Sequence, residues 1–172
     1  MSKGKTILAT ANKVHIIGIG DDGLDGVTSL ARVLIQDAQL LVGAEHTLAL
    51  VPRLAGERLV VGANLDRVVE RIAAAPERRI VVLVSGDPLF YGLARYLCDQ
   101  LGKDRFEVLP HVSSMQLAFA RVKESWEEAY LTNLANHPLE TVLEKIRIAE
   151  KVGMFTSDEA SPAVIARELG AR

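Results

Sequence analysis

Residues Ile80 to Ser85 form an unbroken apolar run with no polar alternation. Alternation marks a strand with one face in water. Its absence marks a strand covered on both faces, as in the middle of a parallel sheet flanked by helices. The run passes straight into Gly86-Asp87-Pro88-Leu89-Phe90-Tyr91-Gly92. Gly86 lets a ligand approach the backbone with no Cβ in the way, Asp87 can cap the first amides of a helix, and Pro88 has the pre-set φ suited to a first helical position. The spacing predicts a helix from Pro88 with Leu89, Leu93, Tyr96, Leu97 and Leu101 turned inward. A ligand site belongs at this turn, and Asp87 reads equally as a cap and as part of that site.

The rest of the chain repeats the unit. Val14 to Gly18 is a short buried strand feeding the glycine turn Gly18-Ile19-Gly20-Asp21-Asp22-Gly23, after which Val27, Leu30, Ala31, Leu34, Ile35 and Ala38 recur at helical spacing. A strand at Leu40 to Gly43, a short helix at Glu45 to Leu50, a strand near Leu59 to Val61 and a helix at Leu65 to Ala74 precede the central run, and Phe106 to Leu109 is the next strand. Pro110-His111-Val112-Ser113-Ser114 opens a helix through about Arg121, with Ser113 and Ser114 as N-cap or as ligand donors.

Lys123 to Glu128 is charged and aperiodic, and a domain boundary is expected there. The expected division is a leader or foreign remnant at 1–13, an N-terminal α/β domain at 14–122 and a C-terminal α/β domain at 123–172. The last holds a strand at Tyr130 to Leu134, a helix at Leu139 to Glu150, a strand at Val152 to Thr156 and a helix at Pro162 to Leu169. So few residues bury too little surface to stand comfortably alone, so this domain is expected to lean on the first or to be incomplete.

The chain has 172 residues, 49% of them hydrophobic, with 20 Lys plus Arg against 22 Asp plus Glu. A real core is affordable, and nothing in the global charge advertises nucleic acid or an anionic membrane surface. No apolar run reaches the roughly 18 residues of a membrane span, so a cytoplasmic protein is expected. The single cysteine, Cys98, excludes an internal disulfide framework and reads as a small buried hydrophobe. His15, His46, His111 and His137 show no close ligand spacing, so no metal site is expected. No G-x-S-x-G elbow supports a hydrolase.

Gly18-x-Gly20-x-x-Gly23 matches the dinucleotide fingerprint, which makes an NAD or FAD oxidoreductase an alternative reading. Asp21 and Asp22 would repel a pyrophosphate there, and Glu45 fits the confirming acid only loosely.

Three stretches together resemble a known family: Val14-His15-Ile16-Ile17-Gly18-Ile19-Gly20, Ser85 to Gly92, and Pro110 to Arg121 with its Ser-Ser-x-Gln-x-Ala-x-Ala-Arg run. The chain is similar to the tetrapyrrole (corrin/porphyrin) methylases from Val14 to Leu169. Trp126, Thr156-Ser157-Asp158 and Ser161-Pro162 are similar to the C5-methyltransferase branch of cobalamin biosynthesis. The resemblance implies two α/β domains with S-adenosylmethionine in a cleft between them, usually as a homodimer, methylating a precorrin or cobalt-precorrin at C5. A decarboxylating methyltransferase partner can be separate from such a chain.

By the same resemblance Gly86, Asp87, Pro88, Tyr91, Ser113, Ser114, Leu134, Ala135, Thr156 and Ser157 contact the cofactor. Gly18, Gly20, Asp21 and Gly23 line the tetrapyrrole side. Arg121, with Arg53 and Arg95, is a candidate for the substrate's carboxylates, and His111 and His137 are candidates for moving a proton. The chain departs from the family's usual pattern in Asp21, where proline is common, and in Asn133-Leu134-Ala135-Asn136-His137-Pro138, where a Leu-His-Gly-Arg type segment is common. The family's second domain usually continues with further strands, so an inert methylase fragment is a third reading.

Overall fold

The computed structural model describes residues 12–53 and 55–170. They fall into two compact units, Met1–Ser113 and Ser114–Arg172. Of the expected leader, residues 1–11 lie outside the described residues. Asn12 and Lys13 belong to the fold: the Asn12 backbone N–H donates to the Pro76 carbonyl at 3.0 Å, and the Lys13 ammonium donates to the Asp104 carbonyl.

The first unit contains β1 (Val14–Ile19), α1 (Ser29–Gln36), β2 (Leu40–Gly43), α2 (Glu45–Ala49), β3 (Glu57–Val60), α3 (Asp66–Ala73), β4 (Ile80–Ser85), α4 (Leu93–Leu101) and β5 (Phe106–Leu109). The strands make one parallel sheet in the order β3-β2-β4-β1-β5. β4 is therefore the middle strand, as its unbroken apolar run requires. Its residues point alternately into two cores. Ile80 and Val82 join Val14, Ile16, Leu40 and Val42 under Val68 and Ile72 of α3 and Ala94 and Leu97 of α4. Val81 and Leu83 join Ile17, Ile19 and Leu41 under Ala31 and Ile35 of α1 and Leu48 of α2. Each fully buried aliphatic side chain contributes about 1.5–3 kcal/mol, so helices on both faces follow from an apolar residue at every position.

Two helices differ from expectation. In α1, which the Thr28 hydroxyl caps by accepting from the Ala31 N–H, Ala31 and Ile35 are buried with Leu34 packed beside them, and of the expected apolar positions Leu30 alone is turned out, 59% exposed. The helix expected from Pro88 begins at Leu93 instead, with Gly92 as its N-cap, and Leu89 is 63% exposed. The chain folds back before it: a Cβ on Gly92 would stand 2.8 Å from the Pro88 carbonyl carbon, and Tyr91 has φ 56. Cys98, expected to be buried, is part-buried, and burial pushes its thiol pKa up.

The second unit contains α5 (Ser114–Val122), β6 (Tyr130–Asn133), α6 (Leu139–Ile148), β7 (Val152–Phe155) and α7 (Pro162–Gly170). β6 and β7 pair in parallel, and Leu134, Leu139, Val142, Ile146, Ala160 and Ile165 form the core. The boundary expected at residue 123 lies instead at 113/114, because α5 packs on β7: a Cβ on Gly153 would meet Met115 Sδ at 2.6 Å and Phe119 Cε2 at 2.9 Å. The charged stretch after α5 is also tied in, with Lys151 Nζ 3.0 Å from the Glu124 carboxylate and donating to the Ser125 carbonyl at 2.7 Å.

Candidate functional site

The helices that follow β1 and β4, neighbouring parallel strands, lie on opposite faces of the sheet. Where two such connections part, a crevice opens beyond the carboxyl ends of the strands, and ligands of open α/β sheets bind there. The Gly-Asp-Pro loop starts at this point.

Its backbone approaches two neighbours so closely that side chains are excluded. A Cβ on Gly18 would overlap the Gly86 carbonyl oxygen and stand 2.7 Å from His111 N. A Cβ on Gly86, whose φ is +66, would stand 3.1 Å from Ser113 Cα. The Gly86 N–H donates to the Ile19 carbonyl at 3.0 Å, which carries the sheet ladder one step past the end of β4. Asp87 does cap, but it caps a single turn rather than a helix: its Oδ1 accepts from the Leu89 N–H at 2.9 Å and its carbonyl accepts from the Phe90 N–H at 3.1 Å. Tyr91 holds a left-handed backbone, which is uncommon for a bulky residue, and its exposed ring meets Phe90 edge-on with centroids 4.8 Å apart. Gly86, Asp87, Pro88, Tyr91, Gly18 and the buried Ser113 are thus brought to one place. Ser114 is the exposed first residue of α5.

The fingerprint glycines do not build a phosphate cradle. Gly18 lies inside β1, Gly23 opens a short 3-10 turn, and α1 starts only at Ser29, so the strand–turn–helix geometry of a dinucleotide site is absent here. His111 fills the space over Gly20, where an added Cβ would be 2.8 Å from its Cε1. Its Nε2 lies 3.2 Å from the Gly26 carbonyl and its Nδ1 3.3 Å from that of Val112. Asp21 is exposed on the same turn.

A residue with no legible sequence signal stands on the other side of β4. Parallel pairing of β2 with β4 puts Gly43 opposite Leu83, and two residues beyond Gly43 the chain turns into α2. His46 Nε2 then reaches Ser85 Oγ at 3.1 Å, and Thr47 Oγ1 lies 3.4 Å from the same oxygen. These groups edge a cavity of ≈ 490 Å³ whose other walls include Leu83, Phe90, Tyr91 and Tyr96. Arg58 steadies α2 by donating to the carbonyls of Leu48 and Val51, both at 2.8 Å.

In the second unit the expected segments also meet. The Leu134 N–H donates to the Phe155 carbonyl at 2.9 Å, which places Leu134 and Ala135 beside Thr156 and Ser157 beyond the β6–β7 pair. Leu134 is buried in the core. Asn133 Oδ1 accepts from the Ala135 N–H at 3.0 Å, and Ser157 Oγ accepts from the Ala160 N–H at 3.1 Å. His137 and Arg121 are exposed in this unit; Arg53 and Arg95 are exposed in the first, with Arg95 Nε 3.9 Å from Asp99. Among the described residues, no helix is long and apolar enough to cross a membrane.

Comparison with known proteins finds relatives along nearly all of the chain. The family model of the tetrapyrrole (corrin/porphyrin) methylases matches residues 13–171. The cobalt-precorrin-7 C(5)-methyltransferase of Salmonella typhimurium is 34% identical over 157 residues, which cover 91% of this chain and 77% of that protein. The precorrin-6Y C(5,15)-methyltransferase [decarboxylating] of a Sinorhizobium species is 34% identical over 155 residues, covering 90% of this chain and 38% of that protein. The crystal structure of the methyltransferase CobJ superposes with a TM-score of 0.74 at 23% identity, over 92% of this chain and 77% of that one. The chain belongs to the tetrapyrrole (corrin/porphyrin) methylases.

Proposed function

We propose that this chain methylates a precorrin or cobalt-precorrin at C5, with S-adenosylmethionine as donor, in cobalamin biosynthesis. The observation that carries the reading is the 34% identity to the Salmonella cobalt-precorrin-7 C(5)-methyltransferase along nearly all of the chain. The chain's own geometry supports it: the stretch that would hold the cofactor is the stretch the fold rigidifies. Gly18 and Gly86 let the β1, β4 and Ser113 backbones pack directly against one another, the Asp87 carboxylate fixes the turn from within, and Tyr91 offers an exposed ring. When bound, the cofactor supplies a methyl on an already activated sulfonium. The residues therefore have to align two partners and keep water out, and no nucleophile or metal is needed for transfer.

Gly86, Asp87, Pro88, Tyr91 and Ser113 are assigned to the cofactor from the first unit, and Ser114, Leu134, Ala135, Thr156 and Ser157 from the second. Gly18, Gly20, Asp21 and Gly23 are assigned to the tetrapyrrole side, with Arg121 for a peripheral carboxylate. By the same resemblance the chain works as a homodimer, alongside a decarboxylating methyltransferase that can be separate from it, and the cytoplasm is its proposed compartment. The oxidoreductase reading has no support in the glycine turn.

Calorimetric titration with S-adenosylhomocysteine tests the proposal, with NADH as control and Asp87→Ala as second protein. Saturable binding, weakened about tenfold in the variant by loss of a fixed turn worth about 1.4 kcal/mol, is expected with NADH silent. NADH binding with S-adenosylhomocysteine silent would overturn it.

A further inference from the structure

Methylation of a ring carbon that already carries hydrogen leaves a proton to remove, and the two histidines singled out by sequence are poorly placed to take it. Both nitrogens of His111 face carbonyl oxygens, Gly26 at 3.2 Å and Val112 at 3.3 Å; the neutral ring donates to one of them, and its lone pair is turned toward the other carbonyl rather than toward open space. His137 sits in the exposed Asn133 turn, its backbone N–H donating to the Asn133 carbonyl at 3.0 Å. His15 lies on β1 with its Nε2 3.4 Å from the Glu107 carboxylate.

His46 differs from all three. Ser85 holds one of its nitrogens at 3.1 Å, and Ser85 is the last residue of β4, immediately before the Gly-Asp-Pro loop. The imidazole stands at the edge of the ≈ 490 Å³ cavity, whose walls otherwise are mainly apolar and aromatic. That lining suits the edge of a flat, conjugated ring, with one basic nitrogen and two hydroxyls at a single end. With Nε2–H donated to Ser85 Oγ, the lone pair of Nδ1 is the one left to accept a proton.

We propose that this cavity receives one edge of the tetrapyrrole and that His46 accepts the proton from the methylated carbon; the inference rests on the methylation reading above. The balance is as follows. The electron pair of the enamine-like carbon forms the new C–CH3 bond as the S–CH3 bond of S-adenosylmethionine breaks, and the sulfur departs as a neutral thioether. The C–H bond at that carbon then breaks, its electron pair restores the ring double bond, and the proton goes to Nδ1. Ser85 Oγ and, through it, Thr47 hold the resulting imidazolium, which returns its proton to water.

The test uses the full chain, cobalt-precorrin-7 and the variants His46→Gln and His46→Ala. In deuterated water with S-adenosylhomocysteine bound, no methyl can be transferred, and exchange of the acceptor-carbon hydrogen, by deuteration of the enamine-like carbon followed by proton loss from it, reports the group that carries protons to and from that carbon. His46→Gln is expected to slow both exchange and methyl transfer by about 10²-fold or more, while its affinity for S-adenosylhomocysteine stays that of the wild type. Added imidazole should restore exchange in His46→Ala, which a merely structural role would not allow. Exchange at the wild-type rate in His46→Gln would overturn the assignment while wild-type methyl transfer left the methylation reading intact. Failure of the wild type to bind S-adenosylhomocysteine or to methylate would overturn both.

Discussion

At the carboxyl end of β4 the chain is turned by side chains that are missing, whereas beyond β6 and β7 it is turned by side chains that are present. Gly18 and Gly86 let three backbone segments meet at distances that no Cβ tolerates. Asn133 and Ser157 instead bend their loops by accepting backbone N–H groups at 3.0 and 3.1 Å. The two devices differ in cost when altered. A steric device fails through overlap with backbone, which cannot rotate away; a hydrogen-bonding device fails by the net worth of one bond, about 1 kcal/mol. The loop after β4 is therefore preorganised by steric contact, whereas the loops after β6 and β7 are held by single hydrogen bonds.

The largest effect is expected from Gly18→Ala, which puts a methyl into the Gly86 carbonyl within a buried strand. Loss of about 3 kcal/mol or more is expected in urea unfolding followed by circular dichroism. A loss below about 1 kcal/mol would break the comparison, since it would show the close approach to be yielding.

Next come paired core deletions. Ile16→Ala empties a site in a two-faced sheet and Ile146→Ala one in a single core, with Ile16 fully buried and Ile146 6% exposed. Both fall in the range of about 2–5 kcal/mol, with Ile16 at the upper end because neighbours on every side hold the cavity open. Fluorescence of Trp126, the chain's only tryptophan, reports the second unit, so Ile146→Ala should shift that signal the more.

Asn133→Ala should cost about 1 kcal/mol by the same fluorescence and leave the first unit's transition unmoved.

The smallest effect concerns the exposed edge strand of the first unit, where the steric rule does not apply. The Glu57 carboxylate binds Arg71 at 2.6 Å and Arg78 at 2.8 Å, and the hydrogen bond from Arg78, then that from Arg71, hold its pKa below the ordinary 4.5. A lowered folded-state pKa means stabilisation that is present above the unfolded value and lost as pH falls through the folded one. The small advantage of the wild type over Glu57→Gln should therefore be constant near neutrality and vanish in acid as the pH falls through the lowered folded-state pKa, as thermal melts from neutral to acid pH would show.

The alternation of strands and helices, the central place of Ile80–Ser85 and the two-domain α/β class are all legible in the sequence, because burial on both faces leaves a local record in every residue of a strand. The loop after β4 is legible as a site but not as a shape. Pro88 and Asp87 satisfy the rules for a helix start, yet Tyr91 adopts a left-handed backbone and Gly92 folds against Pro88, both consequences of contacts the local pattern does not contain. Lys123–Glu128 looks like a linker because charge without period is a surface signal, and Lys151, far along the chain, is what ties it down. His46 and Ser85 meet only because β2 and β4 are neighbours in the sheet, a fact of strand order that no spacing encodes. His111 was legible as a loop histidine near the site, and only the structure shows both its nitrogens engaged.

The strand order also sets a timetable for synthesis. β1 leaves the ribosome early, but its two neighbours are β4 and β5, and β2 and β3 can pair with each other without it. At about 5–20 residues per second, β1 waits several seconds as an unpaired apolar segment until β4 arrives to separate it from β2. During that interval the nascent chain carries two adhesive edges rather than one sheet. Slow codons between β3 and β4 would lengthen the exposure, and a trigger-type holdase acting on Val14–Ile19 would shorten its consequences, so yield from a cell should depend on translation rate even where the finished fold is unchanged.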